Sequence, residues 1–530
     1  MIFRSPYPDV TIPDMNVSDF VLSNAASLGE KPALIEGSSG RTITFGQLAT
    51  SIQKVAASLV RRGLRKGDIL AIYSPNIPEY AIAFHAVAKA GGINTTVNPL
   101  YTADELTHQL NDAGAKFLMT VPMFLDKAQE AVVQTNVEEI FVIGDTDGAT
   151  PFAELLEGDG TFPPVEIEPA KDLVVLPYSS GTTGLPKGVM LSHRNLVANM
   201  LQTDNISDAA LVTEDDIVVA ILPFFHIYGM VVIMNYTLAK GATVVTMPRF
   251  DMEEFLGLVQ KYSITRANLV PPIILGLAKH PAVDNYDLSS LTLLTSGAAP
   301  LGKDLIEATS QRIDCVVTQG YGLTETSPVT HVLPDSRSAL KPGSIGPAIS
   351  NTEVMIVDVA SGEALGPNQS GEVWIRGPQV MKGYLNNPTA TAGCIDDEGW
   401  FHTGDVGYAD EDGDFYIVDR VKELIKYKGF QVAPAELEAL LLSHEAIADA
   451  AVIPSPDEEA GEIPKAFVVL KGAPKDAPNE NWDADALMAW VSGQVAPHKK
   501  IRRLAFVDEI PKSASGKILR RLLVEQERRG

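Results

Sequence analysis

Residues 178–188 combine hydroxyl groups, glycines and one lysine in a single turn-rich segment, Tyr-Ser-Ser-Gly-Thr-Thr-Gly-Leu-Pro-Lys-Gly. The segment follows an apolar run, Leu173 to Leu176, that is typical of a buried strand. Hydroxyl donors and exposed backbone N–H groups can cradle an anion, and Lys187 adds a full positive charge. Because Gly188 follows that lysine, the spacing is not that of a Walker A loop. The segment therefore predicts a polyphosphate-binding loop; the alternative is a loop of the same composition without a ligand.

Four further segments carry polar and charged residues among glycines, in a fixed order along the chain. They begin at Gln319 (Gln-Gly-Tyr-Gly-Leu-Thr-Glu), Gly399 (Gly-Trp-Phe-His-Thr-Gly-Asp), Asp419 (Asp-Arg-Val-Lys-Glu-Leu-Ile-Lys-Tyr-Lys-Gly) and Pro511 (Pro-Lys-Ser-Ala-Ser-Gly-Lys). Together with residues 178–188 they resemble the signature motifs of the adenylate-forming superfamily, which comprises acyl-CoA synthetases, peptide-synthetase adenylation domains and beetle luciferases. The resemblance covers nearly the whole chain and is closest to 4-coumarate–CoA ligases and related acyl-CoA ligases.

The resemblance implies that the chain uses ATP, Mg²⁺ and coenzyme A. In the resembled enzymes a carboxylate attacks the α-phosphorus of ATP, which produces an acyl-adenylate and pyrophosphate. The acyl group then passes to the thiol of coenzyme A. Because the reacting groups are anions, their repulsion must be neutralised, and catalysis depends mainly on positioning and electrostatics.

The same resemblance assigns a nucleotide site. The residues that it places on ATP or AMP are Ser179, Ser180, Gly181, Thr182, Thr183, Lys187, Gln319, Gly320, Tyr321, Thr324, Asp405, Arg420 and Lys422. Within this set, Tyr321 is expected to stack on adenine, and Asp405 is expected to accept hydrogen bonds from both ribose hydroxyls. Glu325 and Thr183 are the expected ligands of Mg²⁺. Lys517 is the expected catalytic lysine of adenylation.

The acid pocket that the resemblance implies is mostly apolar. Its lining is Tyr228, Met230, Val232, Gly297, Ala298, Gly322, Pro328, Val329 and Val332. His226 is expected to gate this pocket near the α-phosphate. The alternative is that His226 is a core histidine whose hydrogen bonds are satisfied within the protein. No carboxylate lies between Gly229 and Tyr236, where amino-acid-activating relatives carry an aspartate, so we do not expect an amino-acid substrate.

The transfer to coenzyme A would use other residues. The resemblance places Lys426 and Gln431 on the adenylate during this second step. It places Arg249, Lys428 and Gly429 on coenzyme A.

The periodicity of the chain predicts the framework that must position these residues. Apolar residues recur at helical spacing in residues 48–59, residues 69–73 form a short apolar strand, and Thr102 with Glu105 forms a capping box for a helix. Such alternation of strand and helix predicts parallel sheets flanked by helices. Between residues 343 and 417, short apolar runs separated by Gly, Pro and Asn predict a small antiparallel or barrel-like subdomain.

The pattern starts again after Asp419, and Pro434 stands near the first turn of a predicted helix. We therefore expect an N-terminal domain over residues 1–419 that binds ATP and the acid, and a smaller, mobile α/β lid over residues 420–530. Asp419 is the expected hinge. The last 111 residues hold 17 basic and 17 acidic residues. The excess of acidic residues that gives the net charge of −25 therefore lies in the N-terminal part.

Composition disfavours several other classes of protein. Two cysteines, Cys315 and Cys394, supply neither a disulfide framework nor a zinc cluster, which favours a reducing cytoplasm. The negative net charge disfavours nucleic-acid binding. The stretch between Asp216 and Lys240 is uncharged, but proline and polar residues interrupt it, so a membrane span is not expected.

The predicted function is that of an ATP-dependent acyl-CoA ligase acting on a hydroxycinnamate-like aryl acid. A medium- or long-chain fatty acid is the alternative substrate. A luciferase-like oxygenase would share the adenylation motifs. A non-catalytic ATP-binding protein is a further alternative, against which the intact set Lys187, Glu325, Asp405 and Lys517 argues. We expect a cytoplasmic monomer or homodimer.

Overall fold

The computed structural model describes residues 1–179, 186–206, 212–299, 301–334, 341, 343–428, 430–457, 459–471, 483–513 and 516–529. These residues form α/β layers with separate hydrophobic cores. The largest core gathers residues between Val17 and Phe401, and another contains only residues between Ile425 and Ile501. The boundary between these two cores falls near the strand Phe415–Arg420.

Two eight-stranded sheets make up most of the N-terminal part. The first has the order Lys187–Gly188, Leu173–Ser179, Ile93–Thr96, Ile69–Tyr73, Ala115–Thr120, Glu139–Val142 and Thr150–Pro151, with Leu191–Ser192 also paired to Leu173–Ser179. The second has the order Val329–Val332, Val316–Gly322, Leu293–Ser296, Arg266–Leu269, Ile217–Ala220, Thr243–Thr246, Pro32–Glu36 and Thr42–Thr44. Neighbouring strands are parallel except in the hairpins at the edges, as the alternation of strands and helices predicts.

Helices alternate with these strands. The α-helices are Val17–Val21, Phe45–Arg61, Pro78–Lys89, Ala103–Ala113, Leu125–Val132, Phe152–Leu155, His193–Asp204, Tyr236–Ala239, Met252–Tyr262, Pro271–Lys279, Lys303–Ile313 and Pro388–Ala392. A π-helical segment covers Tyr228–Asn235, and 3₁₀ turns cover Pro122–Phe124, Pro281–Asn285 and Thr324–Thr326. The capping box of Thr102 and Glu105 is present, with both reciprocal hydrogen bonds. No helix among the described residues is long and apolar enough to cross a membrane.

A third sheet is antiparallel and lies where the short apolar runs predict it. Its order is Ile2–Arg4, Glu353–Val357, Gly371–Arg376, Phe401–Ala409 and Phe415–Arg420. The N-terminal strand at its edge is not predicted by the sequence pattern. The last two strands place Asp405 opposite Arg420.

The lid has its own five-stranded sheet. The order is Phe430–Val432, Ile425–Tyr427, Gly461–Leu470 and Ile447–Asp457, with Arg503–Phe506 paired to Gly461–Leu470. Its helices are Pro434–Ser443, Ala484–Ser492 and Arg520–Arg529, with a 3₁₀ turn at Pro497–Lys499. Asp419 joins the lid to the third sheet, because its Oδ2 accepts a hydrogen bond from the Ala435 N–H at 2.8 Å.

Candidate active site

A cleft of about 2500 Å³ is lined by residues of both the N-terminal part and the lid. The walls of the N-terminal part include Ser179, Gly297 and Tyr321, which lie at or near the carboxyl ends of three strands. Ligands of parallel sheets bind at such ends. The lid contributes the loop that carries Lys517.

Asp405 is held between partners from two elements. The Tyr321 hydroxyl donates to Asp405 Oδ2 at 2.5 Å, and Arg420 Nε lies 3.2 Å from Asp405 Oδ1. Burial raises the pKa of this carboxyl, and the positive charge of Arg420 opposes the rise. Because each carboxylate oxygen accepts two hydrogen bonds, both oxygens keep an acceptor position for a pair of ligand hydroxyls.

Lys517 stands on a tight turn that docks against the N-terminal part. The backbone N–H of Ser513 donates to Lys517 O at 2.8 Å, and the Lys517 N–H donates to Ser513 Oγ at 3.2 Å. Gly516, with φ of +77°, packs so closely that a Cβ there would lie 3.3 Å from Val270 Cγ2. Burial lowers the pKa of Lys517 to about 8, and the charge of Arg420 adds to this effect.

His226 faces the same region of the cleft. Its Nδ1 accepts the backbone N–H of Tyr228 at 3.3 Å, which assigns the proton of the neutral ring to Nε2. Burial, together with the charge of Lys517, lowers the pKa of His226 to about 4. At neutral pH the imidazole is therefore uncharged and offers an Nε2–H donor.

The two strands that flank the predicted phosphate loop pair with each other at one edge of the first sheet. Ser179 pairs with Lys187, and residues 180–185 between them lie outside the described residues, including the predicted contacts Ser180, Gly181, Thr182 and Thr183. Lys187 Nζ lies 4.4 Å from the centroid of the Tyr384 ring. The Tyr384 hydroxyl in turn donates to Glu325 Oε1 at 2.9 Å.

Glu325 is a suitable carboxylate for Mg²⁺ at this end of the cleft. It is 7% exposed, it lines the cleft, and its 3₁₀ turn follows directly on the strand of Tyr321. Among the described side chains, no group of three or more His, Cys, Asp and Glu is placed to hold a metal. Mg²⁺ in nucleotide sites is typically bound by one or two carboxylates together with phosphate oxygens and water. A single buried carboxylate near a phosphate loop therefore fits this ion.

Four predicted nucleotide contacts lie on the strand Val316–Gly322 or in the 3₁₀ turn that follows it. Gln319, Gly320, Tyr321 and Thr324 all line the cleft, and Lys422 lines it from the lid side. The side chain of Gln319 is already engaged: its Oε1 accepts the Leu301 N–H at 2.9 Å, and its Nε2 donates to Ser344 O at 3.4 Å. The Gln319 amide thus joins Leu301 to Ser344 in the wall of the cleft.

The acid-pocket prediction needs one correction. Met230 is fully buried in the largest core and is not among the described residues that line the cleft. Tyr228 and Val232 lie on the face of the π-helical segment that lines the cleft. Met230, between them in the sequence, lies on the opposite face and packs into the core. The other predicted residues line the cleft: Tyr228, Val232, Gly297, Ala298, Gly322, Pro328, Val329 and Val332.

Two positions of this pocket have no room for a side chain, because neighbouring atoms lie close to their Cα atoms. A Cβ at Gly297 would lie 2.6 Å from Tyr228 Cε1, so any side chain there would displace the tyrosine ring. A Cβ at Gly322 would lie 2.1 Å from Pro328 O. Tyr228 Oη itself lies 3.2 Å from Thr295 O and 3.3 Å from Asn268 Oδ1, neither of which the sequence analysis identified.

Three of the residues predicted for the coenzyme A step lie away from the described lining of the cleft. Arg249, Lys426 and Lys428 are exposed and are absent from its described lining. Lys428 forms an ion pair with Glu459 of the lid. Gly429 and the side chain of Gln431 lie outside what the structure describes. The lid thus presents Lys517 to the cleft, and its Lys426 face is turned elsewhere.

The chain is similar to known proteins over nearly its full length. Residues 22–385 match the model of the AMP-binding enzyme family, and residues 436–517 match that of the AMP-binding enzyme C-terminal domain. The chain is 44% identical over 527 residues to 4-coumarate–CoA ligase 1 of Petroselinum crispum, covering 98% of this chain and 96% of the relative.

Solved structures resemble the whole chain as well. The anthranilate CoA ligase AuaEII in complex with anthranoyl-AMP superposes with a TM-score of 0.90 at 25% identity, covering 98% of both chains. ATP-bound MatB from Rhodopseudomonas palustris superposes with a TM-score of 0.85 at 30% identity, covering 97% of this chain and 99% of the other. Motifs, fold and cleft therefore agree with the sequence comparison, and the chain belongs to the AMP-binding enzyme family.

Proposed function

We propose that this protein is an ATP-dependent acid–CoA ligase that activates an aryl carboxylic acid as its adenylate and transfers the acyl group to coenzyme A. The convergence of Lys517, Asp405 and Glu325 on one cleft carries the proposal, because they come from three distant segments. Full-length identity to 4-coumarate–CoA ligases supports the same reaction class.

An aryl acid is the substrate that we favour. The predicted walls are apolar apart from the Tyr228 hydroxyl, and the ring of Tyr228 lies against the bare backbone of Gly297. A flat ring fits beside such a surface, and aromatic contacts of this kind stabilise binding. The similarity to 4-coumarate–CoA ligases and to a ligase bound to anthranoyl-AMP points to aryl acids rather than fatty acids.

In the first half-reaction the acid carboxylate attacks the α-phosphorus of ATP, and the bond to pyrophosphate breaks. The ammonium of Lys517 offsets the charge that develops on the α-phosphate, and the Nε2–H of His226 is a second donor near it. Asp405 holds the ribose, and Lys187 with the loop of residues 179–183 holds the terminal phosphates. Mg²⁺, held by Glu325 and Thr183, would neutralise phosphate charge. Loss of one such contact costs about 10²–10³ in rate.

In the second half-reaction the coenzyme A thiol attacks the acyl carbonyl, and AMP leaves. Rotation of the lid about Asp419 would bring Lys426 and Gln431 to the adenylate, and Arg249, Lys428 and Gly429 to coenzyme A. We further propose a cytoplasmic location, because two cysteines in a chain of 530 residues supply no disulfide framework. A monomer or homodimer is the assembly that we expect.

A substrate panel tests the proposal. Purified protein is mixed with ATP, Mg²⁺, coenzyme A and one acid from a set of 4-coumarate, cinnamate, benzoate, octanoate and phenylalanine, and AMP is measured. We expect the fastest AMP formation with a cinnamate-type acid. The segment between Gly229 and Tyr236 has no carboxylate to pair with the ammonium of an amino acid, so phenylalanine should be a poor substrate. Faster AMP formation with phenylalanine than with any other acid of the set would contradict the proposal.

A further inference from the structure

Tyr384 lies between the two charged groups that the proposed function assigns to the phosphates and to Mg²⁺. Its hydroxyl donates to Glu325 Oε1 at 2.9 Å, and Lys187 Nζ lies 4.4 Å from the centroid of its ring. The tyrosine is only 8% exposed. Within the described part of the chain, no ion pair joins Lys187 directly to Glu325. One buried side chain therefore contacts both charged groups.

Backbone hydrogen bonds connect the segment around Tyr384 to the segment of Lys187 and to that of Glu325. Leu385 donates its N–H to Gly188 O at 2.8 Å, beside the lysine, and Met381 donates its N–H to Glu325 O at 2.8 Å. Tyr384 itself forms an antiparallel bridge with Val189. The ring thus sits on a segment that is tied to the strand of the lysine and to the turn of the carboxylate.

The chemistry of the two contacts differs from that of a direct ion pair. A lysine bound to the carboxylate would neutralise it and would occupy donors needed for phosphate. A phenol, whose ordinary pKa is about 10, donates one hydrogen bond and leaves the carboxylate its charge. The face of an aromatic ring attracts an ammonium without using a lone-pair acceptor, so the lysine keeps its N–H groups for other acceptors.

We propose that Tyr384 is a positioning residue that orients the Glu325 carboxylate towards Mg²⁺ and the Lys187 ammonium towards the ATP phosphates, and that keeps the two from pairing. The inference rests on the proposed function of those two residues. It assigns to Tyr384 two separable roles, one through its hydroxyl and one through its ring.

Two substitutions separate these roles by ligand binding rather than by activity. Tyr384→Phe removes the hydroxyl and keeps the ring. Tyr384→Leu removes both. The probe is Mn²⁺ in the presence of α,β-methylene-ATP, followed by electron paramagnetic resonance. Binding of the same nucleotide in the presence of EDTA is measured by calorimetry.

We expect Tyr384→Phe to weaken Mn²⁺ binding roughly 5- to 20-fold, since a hydrogen bond to a charged group is lost, and to leave metal-free nucleotide binding unchanged. Tyr384→Leu should weaken metal-free nucleotide binding as well. Tyr236→Phe is the matched control, because its hydroxyl also donates to a carboxylate, Asp204, at 2.7 Å. This control should alter neither measurement.

The outcomes distinguish this inference from the proposed function. Wild-type Mn²⁺ affinity in Tyr384→Phe, together with weakened affinity in Glu325→Gln, would overturn the role of the hydroxyl while leaving Glu325 as a metal ligand. Equal metal-free nucleotide affinity in the Phe and Leu variants would overturn the role of the ring. Unchanged Mn²⁺ affinity in Glu325→Gln would remove the metal assignment on which the inference rests.

Discussion

At the scale of single residues, the role proposed for Lys517 depends on its charge. Burial, helped by Arg420, lowers the pKa of Lys517 to about 8. Its protonated form is the one that offsets negative charge, so adenylation should decline as pH rises through about 8. The surrounding charged or titratable groups are His226, Asp405, Glu423 and Arg520, and His226, with a pKa near 4, stays neutral over this range.

We therefore predict that kcat/KM for ATP in pyrophosphate release falls above pH 8 with the loss of one proton, since this ratio reports groups of the free enzyme. Lys517→Arg, whose guanidinium stays charged, should keep whatever activity it has to higher pH. A pH profile of the Arg variant that declines at the same pH as wild type would show that another group titrates.

Asp405 supplies a second test at this scale. Asp405→Ala should raise KM for ATP and lower kcat/KM, because two hydrogen bonds from ribose hydroxyls to a charged group are lost, each worth about 1.5–3 kcal/mol. Tyr321→Phe is the control, since it removes the 2.5 Å hydrogen bond to Asp405 but keeps the carboxylate and the ring. Its effect should be much smaller. Unchanged constants in Asp405→Ala would mean that the carboxylate does not bind ribose.

At the scale of secondary-structure elements, the helix Arg520–Arg529 directly follows the turn of Lys517. Arg520, the first residue of this helix, anchors the helix to the rest of the lid. Arg520 forms ion pairs with Glu423 and with Glu438, the latter at 2.6 Å. Glu438 is 6% exposed, and it also accepts the backbone N–H of Val452 at 2.7 Å. Removing Arg520 would leave a buried carboxylate without its cation.

Arg520→Gln should accordingly destabilise the lid by about 3–5 kcal/mol, as expected when one partner of a buried ion pair is removed. The neighbouring Arg521→Gln is the control on the same helix, because Arg521 pairs with Glu525 at 3.6 Å in an exposed position. An exposed pair contributes about 0–1 kcal/mol. Urea unfolding of the two variants, followed by tryptophan fluorescence, compares them. Equal midpoints would show that the buried network does not stabilise the lid.

At the scale of the whole molecule, the predicted functional residues of the lid lie on different faces of it, and the face with Lys517 lines the cleft. The face with Lys517 is docked, whereas Lys426 and Lys428 are exposed and absent from its described lining. One rigid arrangement would serve both steps poorly, because the first needs positive charge near the ATP phosphates and the second needs an open path for the thiol. We propose that the lid, residues 420–530, rotates about Asp419 between the half-reactions, as domain closures do about a few residues.

Crossed substitutions test this rotation. Lys517→Ala should abolish adenylate formation and leave thioester formation from supplied acyl-adenylate nearly intact, whereas Lys426→Ala should show the opposite pattern. Asp419→Pro fixes φ and removes a donor, so it should slow the thioester step more than the adenylation step. The half-reactions are followed separately as pyrophosphate release and as acyl-CoA formation. If Lys517→Ala slowed both equally, the lid would not alternate.

Local patterns determined the elements and the residue types of the site. The strand Ile69–Tyr73 and the capping box of Thr102 and Glu105 occur where periodicity and capping chemistry predict them. Both depend on neighbours in the sequence, whose hydrogen bonds and apolar spacing are visible without the fold. The family motifs likewise identified the chain as an adenylate-forming enzyme.

Only the tertiary structure decided which of these residues meet. It placed Met230 in the core and Ile2–Arg4 against Glu353–Val357, and it brought Tyr384 between Lys187 and Glu325. These outcomes depend on how each helix is rotated about its axis when it packs against its neighbours. They also depend on pairings between segments that lie tens to hundreds of residues apart. Contacts of this kind arise from packing in three dimensions, which the local spacing of residue types does not encode.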